Sequence, residues 1–298
     1  MKSSKLLVLA SVVIAGLSVA GFVALPLDKP VPRSLGSVEG DIQRGAYVAR
    51  LSACITCHTD TRNGGQVLAG GAPIKTPFGT FHAPNITPDK EFGIGNWTLE
   101  DFARALTHGE SPGGRPYYPA FPYAFFERMT DRDIADLWAA VNSVPPVNKP
   151  APPHDIAFPL STDVAPAVWQ RLFFAPPDEA RDGGGANPMD RGAYLAGGPA
   201  HCGACHTPRN LLGARDTERR FAGGTASDGE KAPAITADAL RQAGWTKKNL
   251  IYALRTGLMP DGDSFSGSMA RVVNGGTRFW TDGDLDAVAT YLFAEKQE

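Results

Sequence analysis

The apolar and polar positions divide the chain into one long apolar run and a series of short helical blocks. Leu6 to Leu27 is a run of 22 residues without a charge, preceded by Lys2 and Lys5. A membrane-spanning helix needs about 20 such residues. Residues 1–30 are therefore expected to form an N-terminal hydrophobic helix, anchored with its lysine end in the cytoplasm. Ser18-Val19-Ala20 has the small-x-small form of a cleaved secretory signal, which is the alternative reading. Both place the remainder outside the cytoplasmic membrane.

Beyond residue 40 the apolar spacing is helical, and alternating strand runs of useful length are absent. Four helix starts share one signature. Thr98, Thr130, Thr246 and Thr281 stand at N-cap positions, and Asp101, Asp133, Asn249 and Asp284 follow three residues later, as in a capping box. Each Thr is flanked by an apolar pair of hydrophobic-staple form: Trp97/Phe102, Met129/Ile134, Trp245/Leu250 and Trp280/Leu285. Long glycine-rich loops lie between the helices.

The pattern also repeats. Residues 44–59, "RGAYVARLSACITCHT", resemble residues 191–207, "RGAYLAGGPAHCGACHT". A shift of 148 residues places Cys54, Cys57 and His58 on Cys202, Cys205 and His206, and residues 97–109 on 245–257. A constant offset over this length indicates duplication. It predicts two homologous domains, 41–147 and 188–296, joined by a Pro- and Gly-punctuated connector, 148–187. The connector's centre, "VWQRLFF", is apolar enough to pack on a domain.

Composition narrows the function classes. The 298 residues are 43% hydrophobic and 20% charged, with a formal net charge of −2. This is a globular chain without the basic excess that a nucleic-acid partner requires. Its acidic residues are scattered and read as solvated surface and helix caps.

Both cysteine pairs have the form C-x-x-C-H, the attachment motif for c-type haem. Cysteines three apart on a helix share a face, so two thioethers can hold one porphyrin, and the following histidine reaches the iron. The reading is two covalently bound haems, on Cys54/Cys57 and Cys202/Cys205, with His58 and His206 as proximal axial ligands. The rival readings explain less. A zinc site would need the pairs to converge from 148 residues apart. A thioredoxin-like site wants a βαβ setting. Disulfides across two residues would be strained and would leave both histidines unexplained.

An electron-carrying haem takes a sixth ligand, often methionine. In the second half Met269, in the flexible-looking stretch "SGSM" before the last helix, is preferred to Met259. The offset maps Met269 onto Phe121, so the first half lacks a methionine where duplication expects one. Met129 is the tentative sixth ligand there, although its staple position explains it without ligation. His82 and His108 are weaker candidates, His154 and His201 weaker still. An iron left open near Phe121 remains an alternative.

The stretch from Gly71 to Val141, with "HDIAFPL", "WQRLFF" and "HCGACHTPRNLLGA", resembles membrane-anchored multihaem cytochromes c. It is similar to the cytochrome c subunits of periplasmic alcohol, aldehyde and gluconate dehydrogenases. Several members read "PAMPY" where this chain has "PAFPY", and many carry three haems where this chain has two motifs. The resemblance implies a mainly α protein of two tandem class-I cytochrome c-like domains. It also implies a role as electron carrier, relaying electrons from a periplasmic dehydrogenase to a quinone, cytochrome or oxidase of the respiratory chain at the periplasmic face of the inner membrane. The chain is expected to have no substrate chemistry of its own. The alternative is a haem enzyme, a peroxidase or a small-molecule oxidase such as a thiosulfate dehydrogenase, using an open first iron.

Overall fold

A computed structural model of the chain describes residue 21 and residues 35–36, 38–174 and 187–294. The N-terminal apolar run, apart from Gly21, lies outside the described residues. Among these, no helix is long and apolar enough to cross a membrane.

The described residues are mostly helical. Helix α1 (Ile42–Leu51) leads into the short α2 (Cys54–His58). After a loop come α3 (Leu99–His108), α4 (Tyr123–Phe126) and α5 (Asp131–Asn142). Helix α6 (Val164–Phe173) follows, then α7 (Pro188–Gly197) and α8 (Gly203–His206). The chain continues through α9 (Ala237–Gln242), α10 (Lys247–Thr256), α11 (Gly267–Gly275) and α12 (Asp282–Leu292).

All four Thr N-caps form, each hydroxyl accepting from the amide three residues on. Thr236 caps α9 in the same way. In α3 and α10 the third residue returns the bond and completes a capping box. In α5 and α12 it does not, because Asp133 and Asp284 are engaged elsewhere.

Two helix crossings organise the cores. Helix α1 crosses α5 at Gly45, where a Cβ would overlap the Asp136 carbonyl, and α7 crosses α12 at Gly192, where it would overlap the Ala287 carbonyl. Only glycine lets the backbones approach so closely. Beside each crossing an arginine of the shared "RGAY" is forked onto a carboxylate: Arg44 onto Asp136 (2.8 and 3.1 Å) and Arg191 onto Asp284 (2.8 and 3.0 Å). One buried cluster contains Val48, Phe102, Met129, Ile134 and Leu137. The other contains Leu195, Phe221, Leu250, Trp280 and Leu285, and also takes Leu51 from the first half.

Two expectations change. Short strands do occur: β1 (Pro73–Thr76) pairs antiparallel with β2 (Gly79–His82), and β3 (Gly224–Thr225) with β4 (Lys231–Ala232). They are too short to show a period-two signal. "SGSM" is not an irregular loop but the start of α11. Met269 packs on the second cluster and Val273, four residues on, is buried, a stripe too short to read in advance. Helix α6 docks as its apolar character suggests. Trp169 Nε1 donates to the Leu212 carbonyl (2.9 Å) and Gln170 Nε2 to the Gly109 carbonyl (2.8 Å).

Candidate metal centres

Each C-x-x-C-H is entered through a residue in the left-handed region, Ala53 (φ 55°) and His201 (φ 39°). This turns the chain out of α1 or α7 and starts the short helix that carries the cysteines and histidine. The loops that follow are tied down alike. Gly70 N donates to the His58 carbonyl (2.8 Å) and Gly223 N to that of His206 (3.0 Å). Thr59 Oγ1 accepts from Leu68 N (3.2 Å), and Thr207 Oγ1 from Phe221 N (3.1 Å).

The imidazoles share one environment. His58 Nδ1 lies 2.8 Å from the Pro84 carbonyl oxygen, and His206 Nδ1 lies 2.7 Å from that of Pro233. A carbonyl only accepts, so Nδ1 carries the proton and donates, leaving the Nε2 lone pair free to bind metal. Burial pushes both imidazoles below their ordinary pKa, against the raising effect of these bonds. They are held neutral, the form that ligates iron. Pro84 and Pro233 were not singled out from the sequence. The signal was present, since "APNIT" and "APAIT" recur behind the two motifs.

All four cysteines are free thiols, so the disulfide reading fails. Burial pushes Cys54 up to about 12 and Cys202 up to about 11. Among the described residues no group of three or more His, Cys, Asp or Glu could hold a metal ion. Two unpaired thiols beside one oriented, neutral imidazole instead fit covalent haem: the thiols provide the thioethers and Nε2 the proximal ligand.

The sixth-ligand candidates separate on geometry. Tyr117 N donates to the Gly109 carbonyl (2.6 Å), and Phe265 N to the Gly257 carbonyl (2.8 Å). The Glu110–Pro116 and Leu258–Ser264 bridges coincide at the same offset. The two loops therefore share one register through Tyr117 and Phe265, and Phe121 and Met269 lie four residues on in each. Met269 packs on the cluster that Cys202 joins, and Phe121 on the cluster that Cys54 joins. Met259 matches Ser111 inside the tight loop, where its amide bonds the Asp263 carbonyl (2.7 Å). Met129 is 0% exposed, held in the same turn as Trp280: their amides bond the Phe126 (2.9 Å) and Thr277 (3.1 Å) carbonyls. His82 Nδ1 bonds the Pro153 carbonyl (2.9 Å), and His108 Nδ1 the Thr107 hydroxyl (2.7 Å). His201 packs against the Phe125 and Phe126 rings (6.0 and 5.7 Å).

The halves interlock at the motifs. A Cβ on Gly275 of α11 would overlap Thr56 Oγ1, between Cys54 and Cys57. A Cβ on Gly203, between Cys202 and Cys205, would lie 3.5 Å from the Phe125 ring of α4. The segment after each sixth-ligand position thus packs on the other half's cysteine motif.

No protein-family profile matches the chain. Among curated proteins it is 39% identical over 281 residues to one named diheme cytochrome c-type from Cereibacter sphaeroides, covering 92% of this chain and 93% of that one. It is 41% identical to the cytochrome c subunit of alcohol dehydrogenase (quinone) from Gluconobacter oxydans, over 85% of this chain and 54% of that subunit. It is 37% identical to the fructose dehydrogenase cytochrome subunit from Gluconobacter japonicus, over 89% of this chain and 54% of that subunit. The chain spans about half the length of these two dehydrogenase subunits.

Proposed function

This chain belongs to the c-type cytochromes related to dihaem cytochrome c and the cytochrome subunits of dehydrogenases, and on that premise we propose that it is a dihaem electron relay. Each bound haem supplies an iron that gains and loses one electron. The chain's own residues hold and tune it. Cys54 and Cys57, and Cys202 and Cys205, fix the two groups. His58 and His206, oriented by Pro84 and Pro233, are the proximal ligands. Met269 is the sixth ligand at the second site, where a thioether raises the potential. Residues 41–147 and 188–296 are read as two class-I cytochrome c-like domains.

The observation that carries this reading is the pair of Nδ1-to-prolyl-carbonyl bonds behind the two C-x-x-C-H motifs. The names of the relatives support a dehydrogenase as electron donor. The apolar run at residues 6–27 supports retention at the periplasmic face of the cytoplasmic membrane, with a respiratory-chain acceptor downstream. No bond is made or broken in the relay, and the chain contributes no catalytic residue.

The test is a spectroelectrochemical titration of the full-length holoprotein, with peroxide and thiosulfate turnover assayed alongside. The relay predicts two reversible one-electron steps per chain and no turnover. A single step, or sustained oxidation or reduction of either substrate, would refute it.

A further inference from the structure

We infer that the iron bound through His58 takes no sixth ligand from the protein and binds small neutral diatomic molecules in its ferrous state. The inference rests on the dihaem reading and concerns the first site alone.

Three observations converge. The matching backbone bonds from Tyr117 and Phe265 fix a shared register through those residues, and four residues on the first half has Phe121 where the second has Met269. A phenyl ring has no lone pair to offer iron. Met129, the one methionine in this half, occupies the staple slot that Trp280 fills elsewhere, with the same backbone turn. With 0% exposure, Met129 is packed in the first cluster at the α5 N-terminus. His82 and His108 stand in a β-hairpin and at the end of α3, not in the segment that corresponds to the Met269 one.

The surroundings of Phe121 define the ligand class. Its ring meets those of Tyr117 (5.9 Å), Phe126 (5.8 Å) and Tyr123 (6.2 Å), edge to face. Such a wall presents apolar ring faces to a bound molecule, so it favours a neutral diatomic over an anion such as cyanide or azide. Burial pushes the Tyr117 hydroxyl up to about 12. It stays protonated at neutral pH.

The probe is carbon monoxide added to the dithionite-reduced, full-length holoprotein after its haem content has been counted. Two haems per chain with CO shifting the Soret band of one is the expected result. The oxidised protein should show a thioether-to-iron near-infrared band equivalent to one haem. Met129→Leu should leave both signals unchanged. Phe121→Met should abolish CO binding and double the near-infrared band. Two haems with no CO binding, a near-infrared band equivalent to two, or loss of half that band in Met129→Leu would each overturn this inference while leaving the dihaem relay intact. A haem count other than two would instead overturn the relay.

Discussion

The Tyr47 hydroxyl donates to the Asp284 carboxylate at 2.7 Å and accepts from the Thr281 amide at 3.0 Å, bridging the first helix of one half to the cap of the last helix of the other. Tyr194 makes the converse link, donating to Asp133 and accepting from the Thr130 amide (3.3 Å). A tyrosine thus stands in for the return bond that completes the capping boxes of α3 and α10. The two halves hold each other's terminal helices in place.

Removing either hydroxyl leaves a largely buried carboxylate short of a donor and a cap amide without an acceptor. Such losses cost about 1–3 kcal/mol each. Tyr47→Phe and Tyr194→Phe should each lower the denaturation midpoint by that order, with haem content unchanged. Equilibrium unfolding followed by tryptophan fluorescence checks it. Midpoints equal to wild type would mean that the cross-links are incidental.

The two acceptor carboxylates should respond to pH in opposite senses. Burial pushes Asp284 up, but the bonds from Arg191 and Tyr47 outweigh it and hold the group below its ordinary value. Its contribution is complete above the unfolded pKa and is lost as pH falls through the lower folded one. Burial likewise pushes Asp133 up, and there Tyr194 and Arg191 do not offset it. Its charge costs stability at neutral pH, and that cost fades on acidification. The penalty of Asp284→Asn should therefore shrink as pH is lowered, and that of Asp133→Asn should grow. Melting curves across the acidic range read both.

The glycine crossings give a stability prediction independent of the cofactor. Gly45→Ala and Gly192→Ala must push helices apart at a backbone carbonyl, and overpacking of this kind costs about 1–3 kcal/mol or more. Both should melt well below wild type. Gly64→Ala, where nothing lies within 4 Å of the added methyl group, should pay only the strain of its left-handed conformation (φ 66°).

At the second site, Met269→Ala should remove the near-infrared thioether band and lower one of the two midpoint potentials, because a thioether ligand raises the potential. Redox titration beside the near-infrared spectrum checks both. A surviving band would transfer ligation to another residue.

Much of this was legible in the sequence because its signals are local. A threonine N-cap, a staple pair or a C-x-x-C-H needs only a few residues, and the duplication then shows each one twice. What stayed hidden depends on contacts between distant segments. Tyr47 reads as an ordinary helix residue until α12 arrives beside it, 237 residues from its partner Asp284. The prolyl carbonyls behind His58 and His206 are backbone atoms, which composition does not reveal. Met269 looked like part of a loop because glycine and serine dominate its neighbourhood. Its helix forms because Met269 and Val273 pack against the second core.

Counting haem in the purified full-length protein, by pyridine haemochrome against protein concentration and by mass mapping of the attachment peptides, tests the central claim most directly. The account predicts two haems per chain, one on the peptide with Cys54 and Cys57 and one on the peptide with Cys202 and Cys205. Loss of one haem, and only one, should follow Cys57→Ala or Cys205→Ala. A chain that folds with fewer than two haems, or that carries haem away from these cysteines, would contradict it.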